Sequence, residues 1–170
     1  MGVPVLAVWN GDIAQCADVD AVINAANERL IEGGGVCGAI FRLAGAEQLA
    51  RACNAIGRCA TGDAVATPGF GLAARWIIHA VGPRWVDGDH GEADLLASAY
   101  RRALEVADEV GAQSVAFPAL STGIFGFPAE AGARIAVDAL RSGTTDVERV
   151  LLVAYDNDWA QRWSRVLAGS

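Results

Sequence analysis

The sequence contains no lysine; all thirteen of its basic residues are arginine. That absence excludes Schiff-base chemistry and a lysine nucleophile. It also excludes the G-x-x-x-x-G-K-[ST] phosphate loop. Histidine is scarce, with only His79 and His90. The cysteines, at 16, 37, 53 and 59, form no C-x-x-C pair. A zinc site therefore has no ligand spacing to rest on, and no metal is expected. Cys53 and Cys59 could pair by count, but buried free thiols in a reducing, cytoplasmic setting are the expectation. No apolar run approaches the roughly twenty residues of a membrane span. The first residues, MGVPVLAVWNGD, lack the basic start and long apolar block of a secretory signal and read as a strand. Positive charge is in deficit as well: the net charge is −7 and the pI about 4.7. Broad electrostatic binding to nucleic acid needs a basic surface, so it is not expected here. A small anion held by main-chain amides stays open.

What is present is a globular composition, 53% hydrophobic and 19% charged over 170 residues. That length suits one domain, residues 1–170, with a single substantial core. Apolar runs predict strands over 3–8, 20–26, 63–67, 75–80, 114–120 and 149–155. A turn at Asn10-Gly11-Asp12 follows the first. Asp12 is there either as a turn former or as a ligand group at a strand's carboxyl end. Helical spacing predicts helices over 36–44, 46–54, 93–110 and 128–141, and a last one carrying Trp159, Trp163, Val166 and Leu167 on one stripe. Ala39, Ile40, Leu43 and Ala44 are the expected buried face of the first. His79, inside Trp76-Ile-Ile-His-Ala-Val, reads as a core histidine. His90 lies in a polar loop with no partner spacing. The order of elements predicts an α/β fold, a three-layer α/β/α sandwich with a central mixed sheet whose last units are wound in parallel.

Two stretches stand out as sites. Asn24 to Ala44 runs from a strand end through Gly33-Gly34-Gly35 into a helix. Glycines leave the backbone accessible, and a helix start aims unpaired N–H groups and a positive dipole end at that loop. This is a place for an anion, most simply phosphate. Phe117 to Pro128 repeats the logic: strand, Ser/Thr/Gly loop, helix. The two loops could clamp a diphosphate, with Phe125 covering a sugar and Tyr155 stacking on a base.

The segments GDI (11–13), DAVINAAN (20–27), GGGVCGAI (33–40), IIHAVGP (77–83) and FPALSTGIFGFP (117–128) resemble the macro domain family, in its order and spacing, over nearly the whole chain. The similarity is closest to MacroD-type enzymes, which bind ADP-ribose and remove it from modified proteins or deacetylate O-acetyl-ADP-ribose. The resemblance implies that Asp12 accepts from the adenine amino group, with the Ile13 amide beside it. It implies that Asn27 holds the distal ribose and helps position the water. Gly34, Gly35, Val36 and the loop Ser121, Thr122, Gly123, Ile124 and Phe125 would surround the diphosphate and distal ribose, with Tyr155 on the adenine side. MacroD-type enzymes usually read GGGVDGAIH; this chain has Cys37 for the Asp that activates water, and Phe41 for the His. Cys37, in a helix's first turn, is either a thiolate base or a small wall residue. Glu32 is a possible substitute carboxylate. The implied function is hydrolysis of ADP-ribosyl esters on acidic side chains or acetate, with the substrate's phosphate helping to orient water. The alternative is a non-catalytic ADP-ribose reader. Implied partners are ADP-ribose, ADP-ribosylated protein or O-acetyl-ADP-ribose, with no cofactor and no membrane.

Overall fold

Alternation along the apolar runs decides the architecture. Successive side chains of a strand point to opposite faces. Ile23, Ile78, Val115 and Leu152 accordingly pack in one cluster, and their neighbours Val22, Ile77, Ala116 and Leu151 in another. Strands buried on both faces need helices on both faces. The computed structural model describes residues 1–169 and has that cover. β1 (Val5–Asn10), β2 (Ala21–Ala25), β3 (Ala64–Pro68), β4 (Trp76–Ala80), β5 (Ser114–Phe117) and β6 (Arg149–Ala154) form one sheet in the order β1-β6-β5-β2-β4-β3. All neighbours are parallel except β3 and β4, which pair as an antiparallel hairpin. α1 (Gly35–Ala44) and α2 (Ala46–Ile56) cover one face. α3 (Glu92–Glu109), α4 (Ala129–Arg141) and α5 (Asn157–Gly169) cover the other. This is the expected three-layer α/β/α sandwich around a mixed sheet. Among the described residues no helix is long and apolar enough to cross a membrane.

Several boundaries differ from the sequence reading, for local reasons. β1 starts at Val5, not Val3, and runs through Asn10; Pro4 has no N–H for a ladder. β5 stops at Phe117 because Pro118 follows it. In α1 the buried stripe is Cys37, Ile40, Phe41 and Ala44. Leu43 is exposed and Ala39 half-buried, so the expected face was rotated. Phe41 is fully enclosed in the core beneath α1. All four cysteines are free and buried.

His90 does have a partner: its Nδ1 lies 2.8 Å from Asp87 Oδ1, on an exposed turn. Beside it, buried Glu92 accepts from the amides of Val86, Asp87 and Gly88 through Oε2 and of His90 through Oε1. Desolvation opposes the charge, but these main-chain donors hold the carboxyl down to about 2. The carboxylate thus closes the turn entering α3.

His79 is completely buried, as expected of a core residue. Asn24, its register partner on β2, donates through Nδ2 to His79 Nδ1 at 3.0 Å. The ring proton then sits on Nε2, 2.9 Å from Thr67 Oγ1. Burial holds the imidazole down to about 4.

Two outcomes follow for stability. As pH falls from the free imidazole value of 6.5 toward about 4, the unfolded chain binds a proton at His79 that the folded chain refuses. Stability therefore drops by roughly 2 kcal/mol between pH 7 and pH 5; urea titrations should show it, and His79→Gln should flatten it. Trp163 is fully buried against Trp159 and donates to Val153 O at 3.1 Å. Trp163→Ala should cost about 3–5 kcal/mol, read as a lower urea midpoint at unchanged slope.

Candidate functional site

A helix placed after β2 on one face and a helix placed after β5 on the other make the chain diverge between these two neighbouring strands. In open α/β sheets the crevice outside such a point is where ligands bind. A cavity of about 660 Å³ lies there. The carboxyl ends of five strands reach it in sheet order. They are Asp12 and Ile13 after β1, Tyr155 after β6, Ser121–Phe125 after β5, Asn27 to Cys37 after β2, and Gly82 with Arg84 after β4. At about 4.8 Å per strand, the line from Asp12 to Arg84 is roughly 19 Å long.

The first loop ends in α1, whose N-cap is Gly34. The N–H groups of Gly35, Val36 and Cys37 fall in the turn that no helix carbonyl can satisfy. Gly35 has φ +57°, a conformation that favours glycine. Asn27 folds this loop, donating to Ile31 O at 2.8 Å and accepting from Ile31 N at 3.1 Å. In the second loop Ser121 has φ +67°. Thr122 Oγ1 donates to Ala119 O at 2.9 Å, and Phe127 N to Ser121 O at 2.9 Å. The amides of Thr122, Gly123, Ile124 and Phe125 have no acceptor among the described residues. A methyl group on Gly34 would sit 3.5 Å from Ile124 Cδ1, so the two loops all but touch across the cavity. The second loop is moored on its far side: Trp85 N donates to Phe125 O at 2.8 Å, and Trp85 packs edge-on against Phe127.

Asp12 is a turn former that also faces the cavity. Its Oδ1 accepts from Ala14 N at 3.0 Å, capping the short helical turn Ile13–Gln15, and it lines the cavity. Cys37 is buried in the cavity wall. Its thiol donates to Ile31 O and accepts from Asn24 Nδ2 at 3.7 Å. Desolvation outweighs the hydrogen bonds to sulfur and raises the thiol above its ordinary value. Burial therefore opposes the thiolate alternative at Cys37, whose side chain lies in the cavity wall. Glu32 is exposed and outside the cavity wall. Tyr155 lies at the rim, 70% exposed.

Apart from Glu32, the site residues singled out in the sequence line this one cavity. The sequence reading missed Arg84, whose guanidinium sits 4.6 Å above the Phe125 ring. Its place directly after IIHAVGP, at a strand's carboxyl end, was the available signal. A second cavity, of about 580 Å³, lies at the amino ends of β1, β5 and β6. Its Asp108 is engaged by Thr145 Oγ1 and Asp146 N.

Comparison with known proteins fits this geometry. The macro domain family model matches residues 23–136. The chain is 46% identical over 167 residues to the O-acetyl-ADP-ribose deacetylase of Escherichia fergusonii, covering 94% of this chain and 93% of that one. Among solved structures it resembles the Oceanobacillus iheyensis macrodomain with ADP, at 32% identity and a TM-score of 0.90 over 98% of this chain and 92% of that one. It also resembles the Trypanosoma brucei macrodomain in complex with ADP-ribose, at 32% identity and a TM-score of 0.85 over 95% of this chain and 68% of that one. The chain belongs to the macro domain family.

Proposed function

We propose that this protein binds ADP-ribose and hydrolyses ADP-ribosyl esters, releasing ADP-ribose from acidic protein side chains or deacetylating O-acetyl-ADP-ribose. One observation carries the reading: two loops with unengaged main-chain amides meet over one long cavity whose two ends differ chemically. The relatives with ADP and ADP-ribose, and the relative named as a deacetylase, support it.

In this reading adenine lies at the β1–β6 end. Asp12 keeps lone pairs beyond its capping bond to accept from the adenine amino group, and the Ile13 amide lies beside it. Tyr155 closes over the base. The diphosphate rests on amides of Gly34, Gly35 and Val36 and of the Ser121–Phe125 loop, where helix-end dipoles and preorganised N–H groups stabilise the anion. Asn27 is fixed by its two bonds to Ile31. One N–H and further acceptor capacity remain for the distal ribose or the attacking water. Phe125 walls the sugar. The water is positioned by Asn27 and the substrate's own phosphate, so the protein's contribution is geometry. Cys37 shapes the pocket beneath the glycine loop as a protonated thiol.

A second reading, a reader that binds without turnover, draws on that same neutral thiol, which offers no general base. Incubation with auto-ADP-ribosylated protein or with O-acetyl-ADP-ribose separates the two. Release of ADP-ribose or acetate is expected; tight binding with no release at high protein concentration favours the reader. Asn27→Ala should lower kcat/KM by about 10²-fold. Removing a general base costs about 10²–10⁴-fold, so Cys37→Ala should stay within about fivefold of the parent.

A further inference from the structure

Arg84 is the one cation among the described residues that line the cavity, in a chain of net charge −7. It sits at the end of β4, past Asn27 and the glycine loop in sheet order. No carboxylate of the described residues pairs with it: the arginine ion pairs there are made by Arg58, Arg102, Arg149, Arg162 and Arg165. Its guanidinium is instead laid on the face of Phe125 at 4.6 Å. Phe125 is in turn moored to the same segment by the bond from Trp85 N. Stacking on a ring leaves the planar N–H fork free at its edges. A guanidinium held this way, unpaired and at a cavity rim, matches a planar carboxylate in two parallel hydrogen bonds.

The proposed reaction creates such a group at that end. Water oxygen bonds to C1″ of the distal ribose and the bond from C1″ to the acyl oxygen breaks. The electron pair leaves with the carboxylate. One water proton stays on the new hydroxyl and the other goes to solvent. Negative charge therefore grows on the acyl oxygen, on the far side of the sugar from the diphosphate. Resting on the hydrolase reading above, we infer that Arg84 receives this departing carboxylate and so tunes the site to acyl esters of ADP-ribose. Interactions that strengthen as charge develops raise the rate without tightening ADP-ribose itself.

The test uses the full chain with Arg84→Met and Arg84→Lys. ADP-ribose affinity by calorimetry should stay within about twofold of the parent for both. Hydrolysis of glutamate-linked ADP-ribosyl protein should fall at least about tenfold in kcat for Arg84→Met. Arg84→Lys should recover most of it, and added guanidinium ion should restore part of the Arg84→Met loss. Parental turnover in Arg84→Met overturns the inference. So does a loss that neither lysine nor guanidinium relieves, since the arginine would then act only by packing on Phe125. If the parent binds ADP-ribose yet releases none, the hydrolase reading itself fails, a result distinct from a parent that turns over and a variant that does so equally well.

Discussion

Two main-chain segments converging over the gap between β2 and β5 govern the rest of this structure. They converge because the helix after β2 packs on one face of the sheet and the helix after β5 on the other. Each strand end must then lift its chain away from its neighbour's, and the space between becomes the cavity. Everything that surrounds the loops serves to hold them there. Asn27 cross-braces the first through Ile31. Trp85, from the β4 side, braces the second through Phe125 O and the ring of Phe127. Gly82 leaves the space that Ser121 Oγ fills, since a Cβ there would lie 2.2 Å from it.

The same arrangement explains how an acidic chain can present an anion site. In the proposed function the attraction comes from oriented peptide dipoles at two loops rather than from side-chain charge. A lysine-free sequence loses nothing by this design. It also explains why position 37 tolerates a thiol. That position packs under the loop against Asn24 and Ile31, where desolvation favours a neutral group. Phe41, one turn on, is likewise a packing residue.

The fold was legible in the sequence wherever one period dominated. Alternating apolar runs gave the strands, and the 3–4 repeat of Leu96, Ala99, Tyr100, Ala103, Leu104 and Ala107 gave α3, all buried. The face of α1 was misread because a short helix with apolar residues all round offers no single stripe; Leu43 looked internal and is not. The two loops of the candidate site were legible because loop glycines and helix starts are local features. The side-chain contacts that escaped depended on sheet order, which no local pattern carries. Asn24 and His79 meet only because β2 and β4 are neighbours in register. Arg84 reaches Phe125 only because the β5 loop crosses β2 toward β4.

In the proposed function main-chain amides are the anion-binding groups. An amide-resolved NMR titration of the intact chain with ADP-ribose tests that directly. The largest shifts should fall on Gly34, Gly35, Val36 and Thr122 through Phe125, with a second set at Asp12 and Ile13. Saturation without movement of the two loops' amides, or movement confined to the cavity at the amino ends of the strands, would contradict it.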